Sequence, residues 1–298
     1  MPITINSNIA SLNAQRNLGK ATLALTDSYA KLSSGLRINK ASDDAAGLSI
    51  ADYLRADKRI ASVAVRNAND GISALNIADG AMNEISGLLA RMGELAEQAG
   101  NGVLGVTQRV ALSKEFEALG AEIDRIAAVT EFNGMNLLSN GSIILQIGLK
   151  GNTDGGASQI SLQLQDVSAF GLSLGTYIPA FTIGASTNPI GGSNTGTAAE
   201  SLKDENSARN ALDAVKTAVS KIANIRGDLG AVQSRLATTV TNLNVTRENF
   251  SAAESQIRDV DVATEAAEMT RLTILQQAGA SILAQANQQP ALAVRLLS

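Results

Sequence analysis

The stretch from Ala208 to Ile257 reads ARNALDAVKTAVSKIANIRGDLGAVQSRLATTVTNLNVTRENFSAAESQI, and every seventh residue in it is apolar: Ala208, Val215, Ile222, Leu229, Leu236, Leu243, Phe250 and Ile257. A second column, Ala211, Ala218, Ile225, Val232, Thr239, Thr246 and Ala253, is uncharged throughout. Two adjacent uncharged columns at a period of seven mark one helix face that stays buried against partner helices, as in a coiled-coil-like bundle. At about 1.5 Å per residue this rod is roughly 75 Å long. The same arithmetic holds earlier in the chain. Ala61, Ala68, Leu75, Met82, Leu89 and Ala96 form one column, and Ala64, Gly71, Ala78, Ile85, Met92 and Ala99 form the other. That predicts a rod of about 58 Å. Between the two, Leu112, Phe116, Leu119, Ile123 and Ile126 predict a third, shorter amphipathic helix.

The middle of the chain is different material. Eleven of the 26 glycines lie from Gly141 to Gly196, and only Lys150, Asp154 and Asp166 carry charge between Gly141 and Ala199. Ile143, Leu145, Ile147 and Leu149 occupy every second position, as do Ile160, Leu162 and Leu164 beyond GNTDGGAS, which predicts a β-hairpin. From Gly171 to Thr197, Gly, Ser, Thr and Asn predominate around Pro179 and Pro189, the signature of an exposed connection. The other prolines are Pro2 and Pro290, so neither rod is interrupted.

Composition removes whole classes of chemistry. The 298 residues include 48 Ala but no Cys, His or Trp, and aromatics make up 3%. That excludes disulfides, thiolate nucleophiles, Ser-His-Asp triads and Cys/His zinc sites, and no cofactor or metal is expected. An enzyme would have to work with carboxylates, Lys, Tyr or Ser, and no convergent set of them is visible. A net charge of −4 gives no reason to expect nucleic acid. Membrane insertion is excluded by length, because apolar runs such as Ile143–Leu149 fall far short of the ~20 residues a spanning helix needs. The start, MPITINSNIASLNAQRNLGKA, has no basic segment followed by an apolar one, so no cleaved secretory signal is expected.

The two ends read as helices without a partner in the main bundle. Leu12, Leu18, Leu25, Tyr29, Leu32 and Leu36 have helical spacing at one end; Met269, Leu272, Leu275, Ile282, Leu283 and Ala286 have it at the other. If they pair with one another and with copies from neighbouring chains, their ordering is coupled to assembly. The alanine-rich columns point the same way. They let helices approach closely but bury little apolar area per turn, at about 25 cal/mol per Å², so a thin core gains from outside contacts.

Several stretches resemble the bacterial flagellins. LSSGLRINKASDDAAGLSIA at Leu32–Ala51 and RNANDGIS at Arg66–Ser73 match that family's N-terminal signature, FNGMNLL at Phe132–Leu138 resembles its turn after the short helix, and ATEAAEMTRLTILQQAGASILAQANQQP at Ala263–Pro290 resembles its C-terminal helix. The likeness covers roughly residues 1 to 140 and 200 to 298. It implies a structural, non-enzymatic subunit that self-assembles into the flagellar filament used for motility and is located outside the cell. The terminal segments would form an inner coiled-coil tube, with Leu25, Leu32, Leu36, Leu272, Leu275, Ile282 and Leu283 packing that core. Implied partners are further copies of the chain, cap and hook-junction proteins, an export chaperone and the flagellar type III apparatus, which exports the family without signal cleavage. A non-closing, heterologous contact between copies propagates as an open helical filament.

The resemblance extends to LARMGELAEQ at Leu89–Gln98, the segment by which some flagellins are sensed by the vertebrate flagellin-specific Toll-like receptor; Arg91, Leu95 and Gln98 match that pattern, whereas Ala90 and Gly93 depart from it. Some flagellins are O-glycosylated, and Ser186, Thr187, Ser193 and Thr195 are the accessible candidates. Other motifs read as structure. GNGVLG at Gly100–Gly105 fits a dinucleotide-loop pattern but follows a heptad helix where such a site needs a strand, so a helix–helix turn is expected. Asp43 and Asp44 after Ser42 read as helix-capping charges. The sequons at Asn244 and Asn249 fall inside a predicted rod.

The expected fold is therefore mainly α: an elongated antiparallel helical bundle or coiled coil with a small β-hairpin region and terminal helices pairing in an inner tube. The expected division is a terminal domain of residues 1–44 and 258–298, a rod domain of 45–140 and 200–257, and a hairpin with a short variable loop at 141–199. A hook-filament junction protein, or a secreted ligand or adhesin acting through its surface, is the alternative reading.

Overall fold

The computed structural model describes residues 8–151, 158–169, 171–174, 202 and 204–297, with side chains described as far as Gln288. Its elements are α1 (Ile9–Ser34), α2 (Ala45–Ala99), α3 (Val106–Val129), β1 (Glu131–Phe132), β2 (Met135–Asn136), β3 (Gly141–Gln146), β4 (Gln159–Leu164), α4 (Glu205–Arg258) and α5 (Val262–Leu297). The fold is mainly α. It divides into two compact units, Met1–Arg59 with Thr246–Ser298, and Ile60–Val245.

In the second unit both columns of the first rod are buried from Ala61 to Ala99, Gly71 included. Facing residues of α4, from Ala208 through Val215, Ile222, Ile225 and Leu229 to Leu236, share their core with Phe116 and Ile123 of α3. Strand β4 turns Ile160, Leu162 and Leu164 inward and leaves Ser161 and Gln163 exposed, the two-residue alternation of a half-buried strand. It pairs antiparallel with β3, Ile143 opposite Leu162 and Leu145 opposite Ile160. The pairing ends at Gln146, short of the expected Ile147 and Leu149, because the amides of Ile147 and Gly148 both turn to the Ser158 carbonyl at 2.9 Å. Leu145 reaches α2 at Gly71, where a Cβ would meet its Cδ1. The one glycine in the buried column is therefore the seat of the hairpin.

Two turns hold α3 in place. Gly100–Gly105 joins α2 to α3, and Arg109 caps the end of α2 by donating to the carbonyls of Ala99 and Asn101 at 3.0 and 3.1 Å. After α3, β1 and β2 form a two-residue hairpin across Asn133 (φ 52°) and Gly134 (φ 76°), the left-handed pair that Asn-Gly favours. Asn136 then covers the last carbonyls of α3, at Ala127 and Ala128.

In the first unit α1 pairs with α5. The helical spacing read as far as Leu36 stops at Ser34, because Gly35 takes φ 71° and closes the helix. Leu36 lies instead in a short ribbon, bridged antiparallel to Asp259. Arg37 N donates to the Arg258 carbonyl at 2.6 Å, and Val260 N to the Gly35 carbonyl at 3.1 Å. The adjacent aspartates divide their work. Asp44 caps α2 through Gly47 N at 2.9 Å, whereas Asp43 folds the preceding loop by accepting from Asn39 N and Lys40 N.

Candidate assembly surface

The paired terminal helices have a narrow seam and a broad apolar exterior. Helix α1 opens on Asn8, whose Oδ1 accepts from Ser11 N at 3.0 Å. Its buried residues are Ala14, Leu25 and Ser28, and on α5 Leu272 and Ala286 are buried. Outside the buried seam, Ile9, Leu12, Leu23 and Tyr29 of α1 and Ile274, Leu275 and Ile282 of α5 are 45 to 70% exposed. Large exposed apolar side chains gathered on one helix pair make it a candidate contact surface.

The seven residues expected to pack the inner core are thus split. Leu25 and Leu272 close the seam, Leu32 and Leu283 are half-buried beside it, and Leu275 and Ile282 are exposed. Leu36 is half-buried in the ribbon. Helical spacing alone gives the apolar arc but not which part a neighbouring helix within the same chain takes.

Charged groups near the ribbon fix the local geometry. Glu254 of α4 accepts from Arg55 Nε at 2.9 Å and from Lys58 Nζ at 2.7 Å, both on α2. The Lys58 bond is the main reason its carboxyl is held below the ordinary carboxylate range. Asp261 caps α5, accepting from the Thr264 hydroxyl and the amides of Thr264 and Ala263, and is lowered for that reason. Sequence reasoning missed this cap, although Asp261 with Glu265 four residues on, ahead of an apolar run, was its signal.

On the second unit, Arg91 is exposed and bonded to Glu94 at 2.8 Å and to Glu115 of α3 at 2.8 and 3.0 Å. These two partners raise its pKa, Glu94 first. Gln98 is exposed on the same helix. Leu95 is only 1% exposed and belongs to the core beside Met92 and Ala96, so it is not on the surface with the other two. Ser186, Thr187, Ser193 and Thr195 lie outside the described residues. Asn244 and Asn249 lie within α4.

Among the described residues no three carboxylates or other metal-binding side chains converge. The depression lined by Glu94, Glu97, Gln98, Asn101 and Arg209 offers no nucleophile, and Arg209 is paired with Glu205. Among the described residues no helix is long and apolar enough to cross a membrane. What this surface can do is associate.

Comparison with known proteins agrees. Residues 5–142 match the family model of the bacterial flagellin N-terminal helical region, and residues 212–297 that of the bacterial flagellin C-terminal helical region. A flagellin of Halalkalibacterium halodurans is 40% identical over 98% of this chain and 99% of its own length. The flagellar filament 33 kDa core protein of Treponema phagedenis is 38% identical over 95% of this chain and 96% of its own. A crystal structure of Bacillus cereus flagellin, 30% identical, aligns with 60% of this chain and 88% of that one at a TM-score of 0.46. With both helical regions matched and relatives similar over nearly their whole length, the chain belongs to the bacterial flagellins, the structural, non-enzymatic subunits of the flagellar filament.

Proposed function

We propose that this chain polymerises through the outward face of its α1–α5 pair, and that ordering of the pair is coupled to incorporation into the filament. The observation that carries this is the exposed apolar set Leu12, Leu23, Tyr29, Ile274, Leu275 and Ile282, too large for a surface meant to stay in water. Packing these side chains between copies offsets the entropy cost of ordering the ends, which holds free subunits back from spontaneous growth. The division into a terminal domain (1–44, 258–298), a rod (45–140, 200–257) and a surface region (141–199) follows from the same reading.

Before assembly the same face needs cover. An export chaperone on the C-terminal segment, delivery by the flagellar type III apparatus, and cap and hook-junction proteins at the two ends of the filament fit that need. For receptor recognition, Arg91 and Gln98 are the surface groups on the second unit, with Leu95 supporting the helix from within. Ser186, Thr187, Ser193 and Thr195 are the proposed glycan acceptors.

The test is electron microscopy of the full chain after salting-out and seeding, beside Leu23→Gln, Ile274→Gln and Ile282→Gln combined. Long filaments from the unaltered chain and none from the triple variant are expected. Filaments from both would remove the outward face from the interface.

A further inference from the structure

The apolar seam between α1 and α5 is thin, and polar contacts share in defining how far one helix is shifted along the other. Its buried apolar residues are Ala14, Leu25, Leu272 and Ala286, and with Leu18 opposite Gly279 a slide of one helical turn, about 5.4 Å, brings Leu25 opposite Glu268 or Gln276 instead of Leu272, so the short apolar contact sets part of the register. Polar contacts also distinguish the registers; between exposed groups Ser11 donates to Asn287 Oδ1 at 2.7 Å and Gln276 Nε2 to the Thr22 hydroxyl at 3.3 Å, and two further contacts involve more buried groups. At one end Asn8 Nδ2 donates to the Ala286 carbonyl at 2.7 Å. Four residues on stands Pro290, inside the bounds of α5, and proline has no N–H to return to that oxygen. At the other end Ser28, 3% exposed, donates to the Glu265 carboxylate in the first turn of α5.

We propose that these two contacts, Asn8 with the Ala286 carbonyl and Ser28 with Glu265, are positioning residues that share in setting the register of the terminal helix pair. A slide of one turn leaves Asn8 facing carbonyls already bonded within α5, and leaves the buried Ser28 hydroxyl and the Glu265 carboxylate apart. A polar pair in an otherwise apolar seam costs stability in the wrong register and so selects the right one. Register decides which outward residues line up, so the inference rests on assembly through that face.

The absence of cysteine makes the register directly readable. A Cβ on residue 279 would stand 3.7 Å from Leu18 Cβ, within disulfide range, so Leu18→Cys with Gly279→Cys reports the observed register. Leu18→Cys with Leu275→Cys, or with Leu283→Cys, reports a one-turn slide in either direction. Each pair is oxidised in the full chain, in pelleted filaments and in the soluble fraction. It is then combined with Asn8→Asp, which keeps the capping acceptor but loses the donor, and with Ser28→Ala; Glu265→Gln, which still accepts, is the conservative control.

In the otherwise unaltered chain only the 18–279 pair closes. With Asn8→Asp and Ser28→Ala together, the slid pairs close as well and the 18–279 product falls; with Glu265→Gln the original pattern returns. Exclusive 18–279 closure in the double variant overturns the proposal. Promiscuous closure in the otherwise unaltered chain overturns it too, since the register would then come from elsewhere. Filament yield is scored separately: loss of filaments at the outward face tests the assembly reading, whereas the cross-link pattern tests the register.

Discussion

Glu254 of α4 accepts from Lys58 Nζ of α2 at 2.7 Å with only 14% of its side chain exposed, and Arg55 adds a second bond from the same helix. Both hold the carboxyl below its ordinary value of 4.5. A depressed folded-state value means that the stabilisation is present above the unfolded value and is lost as pH falls through the folded one. Glu254→Gln should therefore cost about 1 kcal/mol at neutral pH, since Arg55 and Lys58 remain partly solvated. Urea unfolding across the acid range checks this. The difference between the two proteins should shrink towards zero as the pH falls below 4.5 and through the folded-state value; a constant difference would show that lost packing, rather than charge, is responsible.

The heptad columns made most of the fold legible. Every residue of the two columns from Ala61 to Ala99 is buried, because a period of seven survives in sequence whatever the partner is. The three-dimensional reasons at single positions were not legible. Gly71 looks like one more small residue in a column until Leu145, 74 positions away, is seen to need its space. Leu36 kept helical spacing, yet Gly35 before it had already ended the helix. Leu95 sat in a surface pattern by analogy but is drawn into the core. The exposed apolar residues proposed for assembly were legible as unpartnered apolar spacing, whereas the contacts of Asn8 with Ala286 and Ser28 with Glu265 pair residues more than 230 positions apart and leave no periodic trace.

Asp124 on α3 has the opposite electrostatics from Glu254. It accepts from Ala169 N at 2.7 Å, but burial raises its pKa and the nearby Asp166 carboxylate adds to the rise. A raised acid favours the folded state when protonated, so stability is lost as pH rises from the unfolded value of 3.8 through the folded one. Asp124→Asn keeps an acceptor for Ala169 and removes the buried charge. It should leave stability unchanged or improve it by up to about 1 kcal/mol at pH 7, while flattening the fall that begins above pH 3.8. Thermal unfolding over that range checks it; a clear loss at pH 7 would mean that the charge is needed for the Ala169 bond.

Gly71 and Leu145 form a pair whose coupling can be measured. A Cβ at 71 would stand 2.3 Å from Leu145 Cδ1 and 3.4 Å from Leu236 Cδ1. Alanine gains roughly 1 kcal/mol over glycine in a helix, but overpacking a filled core costs about 1 to 3 kcal/mol. The Leu145 methyl ends a flexible, half-buried side chain that can turn partly away, but Leu236, fully buried 3.4 Å off, has little room to give, so Gly71→Ala should destabilise the second unit by the lower end of that range. Leu145→Ala removes the colliding methyl. In that background Gly71→Ala should become neutral or stabilising, a sign reversal that a double-mutant cycle by urea unfolding would show.

Gly35 offers the cleanest backbone test, because space is not at issue. Nothing lies within 4 Å of where its Cβ would stand, while φ is 71°. Its carbonyl accepts from Val260 N at 3.1 Å, so the left-handed turn both ends α1 and starts the ribbon that ties Leu36 to Asp259. Gly35→Ala keeps every contact and adds only strain, about 1 kcal/mol. Gly35→Asn, which tolerates the left-handed region better, should cost less than alanine does. Hydrogen exchange at Arg37 N and Val260 N reads the ribbon directly: protection should fall most for alanine, less for asparagine, and remain unchanged at the Leu236 amide in the other unit. Equal losses for the two variants would mean that the side chain, rather than the backbone angle, governs the cap.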